Sequence, residues 1–423
     1  MRSARVWRAL LGVERTTVER VEFDGDDVVV AHVRVTRSAR GRCGLCRRRC
    51  GGYDLGTGRR RWRALDLGAV RVFLEADAPR VSCPRHGVVV AHVPWARHGA
   101  GHTTDFDETV AWLAVRTSKA AVTELMRVAW RTVGSIIARV WAEVGALGDR
   151  LDGLRRIGID EIAYKRGHRY LTVVVDHDSG RLVWAAPGRD RATLRTFFDQ
   201  LGPHRSAAIT HVSSDAADWI ADVITERCPA AVRCADAFHV VAWATEALDE
   251  VRRQAWNDAR RGGPVIGKGR NRRDAAGDAR RLKHARWALW KNPDTLTDRQ
   301  RDKLAWIAKT DPRLHRAYLL KEGLRYVFAV KGDAGKEALD RWLSWARRCR
   351  IPAFVNLYRR IKAYRGPIDA ALEHRLSNAR IESINTKIRL LTRVAFGFRS
   401  PDALIALAML SLGGHPPTLP HRI

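Results

Sequence analysis

The chain has 423 residues, room for two or three domains and a substantial core. Lys and Arg number 76 against 46 Asp and Glu, a formal charge of +30, and such a balance points to a polyanionic partner. No apolar run reaches transmembrane length and no basic segment has the aromatic-rich face of a membrane-surface helix, so no membrane partner is expected.

The opening MRSARVWRALLGVERT carries charges inside its short apolar stretch and no small-residue cleavage site, and reads as mature cytoplasmic protein. Residues 1–100 are strand-rich. VEFDGDDVVVAHVRV predicts a hairpin around Gly25, and RWRALDLGAVRVFLEADAP a second pair of strands. The seven cysteines are odd in number and clustered, which points to a cytosolic metal site rather than a disulfide frame. Cys43-Gly-Leu-Cys46 and Cys83-Pro-Arg-His86 each present two ligands within one turn. Together they suit a structural Zn²⁺, with Cys50 and His92 as spare ligands. HGAGHTT (98–104) reads as a linker.

Residues 105–150 are helical by period, with a helix over FDETVAWLAV, a second capped by Ser118, and a third over RTVGSIIARVWAEV. The tight turn before the third helix matches a helix-turn-helix, with a small three-helix connector as the alternative, and offers Arg131 and Arg139 as candidates to meet DNA base edges.

From 155 the pattern alternates. RRIGID, YLTVVVD (170–176), RLVWAAPG (181–188), AAITHVSS (207–214) and AVRCAD (231–236) read as strands, with helices over ATLRTFFDQLG and ADWIADVITERC. Three strands, then helix, strand, helix, strand is the order of a ribonuclease-H-like α/β core. After 238 the chain is almost wholly helical, broken by GGPVIGKGRNRRDAAGD (262–278), which reads as a basic loop. The tryptophans at 287, 290, 306, 342 and 345 are expected to pack between helices.

Carboxylates at strand ends carry the candidate chemistry. Asp160 is expected to end the first core strand, with Gly158 on its face and Ile157 and Ile159 on the other. Asp215 follows the fourth strand, which neighbours the first in this fold. Two carboxylates that converge on divalent cations suit in-line phosphoryl chemistry. A third must come from a distant segment, and SNARIESINTKIRLLTR (377–393) offers Glu382. Ser377 can cap this helix, Ile381, Ile384, Ile388 and Leu391 form its apolar stripe, and Asn378, Asn385 and Arg389 lie near the Glu382 face.

GIDEIAYKRGHRYLTVVVD, VSSDAADWI, CADAFHVV and SNARIESINTKIRLLTRVAFGFRS together resemble the DDE transposases of ISL-three-type bacterial insertion sequences. The resemblance covers nearly the whole chain and is most specific around Glu382, Asn385, Lys387 and Gly397-Phe398-Arg399. It implies Asp160, Asp215 and Glu382 as the catalytic, Mg²⁺- or Mn²⁺-binding triad. Asp236 and His239 match an auxiliary DxxH motif, and Asp236 competes with Asp215 for the second acid. The fourth zinc ligand, His86, stands where a cysteine also occurs in the family, so a nearby residue remains open for it.

The expected organisation is a zinc-binding domain (1–100), a helix-turn-helix (105–150), the first part of the core (155–261), a basic loop and helical insertion (262–375), and carboxy-terminal core helices (376–423). The implied activity is metal-dependent cleavage and strand transfer at terminal inverted repeats. Its partners are transposon-end and target DNA, contacted by Arg131, Arg139, Asn385, Lys387 and Arg389, with a homodimer or higher oligomer at work in the nucleoid. The rivals are a domesticated DNA-binding regulator and a structure-selective nuclease on the same core.

Overall fold

The structure is a computed structural model, and it describes residues 2–261, 275–374, 376, 379–398 and 400–420. The chain divides into two compact units: Met1–Arg150 with Ile388–Ile423, and Leu151–Lys387.

The first unit opens with α1 (Arg2–Leu10), followed by β1 (Thr16–Phe23), β2 (Val28–Val35), β3 (Gly51–Asp54), β4 (Arg59–Arg63), β5 (Arg71–Asp77), β6 (Arg80–Cys83) and β7 (Gly87–Val90). The two expected strand pairs form. β1 and β2 are an antiparallel hairpin whose turn holds Gly25 at φ +79°, a conformation that favours glycine. β4 pairs antiparallel with β5. One sheet runs β1-β2-β5-β4 and a smaller one β3-β6-β7. Val18, Ala31, Val33, Trp62, Leu74 and Trp95 fill the core of this part.

Segment 98–104 is not a free linker. Arg63 N–H donates to Gly101 O at 3.0 Å and Thr103 N–H to Arg63 O at 2.9 Å, so it is tied to the end of β4. Thr103 then caps α2 (Thr104–Arg116). α3 (Lys119–Met126) begins at Ser118, whose hydroxyl accepts from Ala121 N–H at 3.1 Å. α4 (Trp130–Val144) buries Val133, Ile136, Ile137 and Val140, one face at helical period. These residues share a core with Phe106, Val110 and Val122, and with Ala406, Leu407 and Leu410 of the carboxy-terminal helix Pro401–Leu412 (α17).

The second unit begins with β8 (Arg156–Lys165), β9 (Arg169–Asp176) and β10 (Leu182–Pro187), then α5 (Arg191–Leu201), α6 (Pro203–Ala207), β11 (His211–Ser214), α7 (Asp218–Arg227), β12 (Val232–Ala235) and α8 (Ala237–Arg260). The sheet order is β10-β9-β8-β11-β12. β9 is antiparallel to β8 and β10, while β11 is parallel to β8 and β12. This is the ribonuclease-H-like order read from the sequence. β8 is longer than expected: it continues to Lys165, so Asp160 sits within the strand, because β9 pairs with it along that whole length. Ile157 and Ile159 point into a core with Leu194, Phe197, Val212 and Ile224.

The helical part comprises α9 (Ala275–Lys283), α10 (Arg286–Trp290), α11 (Asp298–Thr310), α12 (Pro312–Val330), α13 (Gly332–Arg348), α14 (Pro352–Ala363) and α15 (Arg365–His374). They pack with α8 around Leu248, Leu289, Leu324, Trp342 and Phe354. Of the expected basic loop, Gly262–Asp274 lies outside the described residues, whereas 275–278 are the first turn of α9 rather than loop. Trp342 is buried and its indole N–H donates to Leu320 O at 2.7 Å, but Trp287 is exposed. α16 (Ala379–Val394) completes the second unit and continues into the first. Its expected cap Ser377, with Asn378, lies outside the described residues, as does Arg399.

Candidate active site and zinc centre

Strand register sets the site. β8 and β11 align Ile159 with Ser214, and β11 and β12 align Ser214 with Ala235. The next residues, Asp160 within β8 and Asp215 and Asp236 just past the ends of β11 and β12, therefore stand at one level on three adjacent strands. Asp160 is buried, and its carboxyl is pushed up to about 6 by burial and then by the Asp215 charge. Asp160 Oδ1 accepts from Glu161 N–H at 2.7 Å, and Oδ2 accepts from the Asn385 amide at 2.6 Å.

Asp215 and Asp236 close on His239 from two sides. Its Nδ1 lies 2.6 Å from Asp215 Oδ1 and 2.5 Å from Asp236 Oδ2. Burial pulls this imidazole down, but hydrogen bonds to the two carboxylates outweigh it and hold it up at about 10. Asp236 also caps α8, accepting from Phe238 N–H at 3.0 Å. Ligand atoms of Asp215, Asp236 and His239 all lie within 4.8 Å of one another. The carboxylates of Asp215 and Asp236, with Asp160 beside them, offer the oxygen donors that a hard divalent cation takes.

Glu382 and Asn385 are three residues apart on α16, hence neighbours on its surface. Glu382 is exposed, whereas Asn385 is buried against Asp160. Expected at DNA, Asn385 instead faces the carboxylate, because its position continues the buried Ile381 and Ile384 face of the helix. Lys387 and Arg389 are exposed. The sequence did not single out Glu161 for the site. Its side chain pairs with Arg189 and is pushed up to about 7 by burial, against Arg189 and with the Asp215 and Asp160 charges. The GIDE tetrad alone could have flagged it.

In the first unit, Cys43, Cys46, Cys83 and His86 converge, with all four ligand atoms within 4.8 Å of one another. His86 Nδ1 lies 3.5 Å from Cys43 Sγ and 3.6 Å from Cys83 Sγ. Burial raises the Cys83 thiol, but hydrogen bonds from the Arg85 and His86 backbone prevail and bring it down to about 6, which favours the thiolate a zinc ion needs. His92 is turned to Arg47, 2.7 Å away, and Cys50 to Arg48 O at 3.3 Å.

The two arginines proposed for base edges part company. Arg131 is exposed at the start of α4. Arg139 donates to Asp107 at 2.7 Å, and Asp107 is fully buried. Arg139 is thus a strut between α4 and α2, drawn inward by a charge that cannot stay buried unpaired.

Comparison with known proteins agrees along the chain. A transposase family matches residues 157–408. The helix-turn-helix domain of transposase family ISL3 matches residues 91–141, and the zinc-finger of the IS204/IS1001/IS1096/IS1165 transposases matches residues 39–86. The chain is 67% identical to the transposase for insertion sequence element IS1557 of Mycobacterium tuberculosis, over 100% of this chain and 98% of that protein. It is 29% identical to the transposase for IS1001 of Bordetella parapertussis, over 95% of this chain and 96% of that one. No helix among the described residues is long and apolar enough to cross a membrane. The chain therefore belongs to the ISL3 family of insertion-sequence transposases, with a zinc ribbon, a helix-turn-helix that binds DNA and a DDE catalytic domain.

Proposed function

We propose that this transposase binds the terminal inverted repeats of its element and cuts and rejoins DNA at Asp160, Asp215 and Glu382. One observation carries the reading: β8 and β11 bring Asp160 and Asp215 to one level, and Asn385, a turn from Glu382, bonds Asp160. Mg²⁺ or Mn²⁺ held by these carboxylates supplies the positive charge that in-line attack at phosphorus requires. Water attacks a phosphodiester to free a 3′-hydroxyl, and that hydroxyl attacks target DNA. The triad's own part is electrostatic and positional. Asp236 and His239 serve as auxiliaries that hold Asp215 in place.

Arg131 is assigned to base edges and Lys387 and Arg389 to phosphates, while Arg139 keeps α4 oriented. A homodimer or larger assembly is expected on DNA, since two ends must be cut and joined together. The test compares Asp215→Ala with Asp236→Ala in cleavage of DNA carrying the element's ends. Loss of cleavage in D215A, with residual cleavage in D236A, supports the assignment. The reverse moves the second acid to Asp236.

A further inference from the structure

We infer that Asn385 is a positioning residue for catalysis: its amide fixes the rotamer of Asp160, and α16 thereby locks the carboxylate in place. The inference rests on the triad reading above.

Both oxygens of Asp160 are held, Oδ1 by the Glu161 N–H and Oδ2 by Asn385 Nδ2. A carboxylate oxygen has two lone pairs, so each keeps one for a cation. The identity of the donor matters. A lysine or arginine would hold Asp160 equally well but would supply the positive charge itself and compete with the metal. An amide orients the carboxylate and leaves its charge uncompensated. The amide cannot be turned round, since its oxygen would then face Asp160 Oδ2.

Asn385 is 2% exposed, and a buried amide in an apolar helix face is costly without a partner. Its Oδ1 is buried and has no hydrogen-bond partner among the described residues. The docking of α16 is equally close. A Cβ at Gly158, on the Asp160 face of β8, would lie 2.1 Å from Ile381 Cδ1 and 2.9 Å from His177 Nε2.

The experiment uses the full-length, zinc-loaded protein and follows Mn²⁺ binding by electron paramagnetic resonance. DNA-end affinity and the thermal midpoint are measured in parallel. Asn385→Ala is expected to weaken Mn²⁺ binding by about 10–100-fold with end binding unchanged. Asn385→Leu keeps the volume and the buried packing without the amide, so it stays folded and is expected to lose the same factor. Asp160→Ala is the reference for a lost site. Wild-type Mn²⁺ affinity in N385L, with affinity lost in D160A, overturns the positioning role alone. Wild-type affinity in D160A overturns the triad reading, and this inference with it.

Discussion

Gly158→Ala is the sharpest perturbation of the core, because it adds one methyl group where β8 meets α16 and changes no charged or polar side chain. The new Cβ would sit 2.1 Å from Ile381 Cδ1, where ordinary carbon contacts are about 3.5–4.0 Å. Ile381 is fully buried, and His177, the next atom met, is held by Ser213 at 2.6 Å. Neither can swing into solvent, so α16 must retreat by roughly 1–2 Å. The Asn385–Asp160 hydrogen bond of 2.6 Å would stretch past a bonding distance. Overpacking of this kind costs about 1–3 kcal/mol, and a displacement near 1 Å in a catalytic group costs on the order of 10²-fold in rate. The assay is in vitro end cleavage beside a thermal melt. G158A should stay folded, melt earlier and cleave about 10²-fold more slowly. Ile381→Ala in the same chain should restore part of the rate by removing the first atom met. G158A with wild-type cleavage would refute the close docking of α16 on β8.

Metal analysis should find one Zn²⁺ per chain, and Cys46→Ser should lose it, unfold the amino-terminal β-region and weaken end binding while the core still melts normally; folded, zinc-free protein would contradict this. DNA affinity should fall about 10³-fold or more from low to moderate salt, and Arg131→Ala should reduce discrimination of end from random DNA more than total binding, whereas Arg139→Ala should act mainly by destabilising the helix-turn-helix. Burial holds Asp107 up at about 6, against the pull of Arg139. A carboxyl raised in the folded state penalises stability above that pH, and the penalty fades as pH falls toward its ordinary 3.8. Wild type should therefore gain thermal stability relative to Asp107→Asn between pH 7 and pH 4, and a constant difference across that range would count against a buried, charged Asp107.

Local pattern carried much of this molecule. The hairpin at Gly25, the three short helices and the order of the core strands follow from periodicity and turn residues, which are local properties. Paired cysteine spacing placed Cys43, Cys46, Cys83 and His86 together because each pair needs only one turn. Partnerships across distant sequence did not show. Arg139 looks like a free cation on α4 until Asp107 appears beneath it. Asn385 shares the buried side of α16 with Ile381 and Ile384, four and one residues before it, a signal available in the sequence but outweighed by its polarity. β8 outruns Asp160 because β9 pairs with it to Lys165, and register between strands is not written in either strand alone.

The most direct test is joining of element ends to target DNA with Mg²⁺ by wild type and by Asp160→Ala, Asp215→Ala and Glu382→Ala. All three variants should bind ends like wild type yet neither cut nor join, because both steps use one site. Cleavage or joining that survives in E382A at the wild-type rate would contradict the triad and remove α16 from the chemistry.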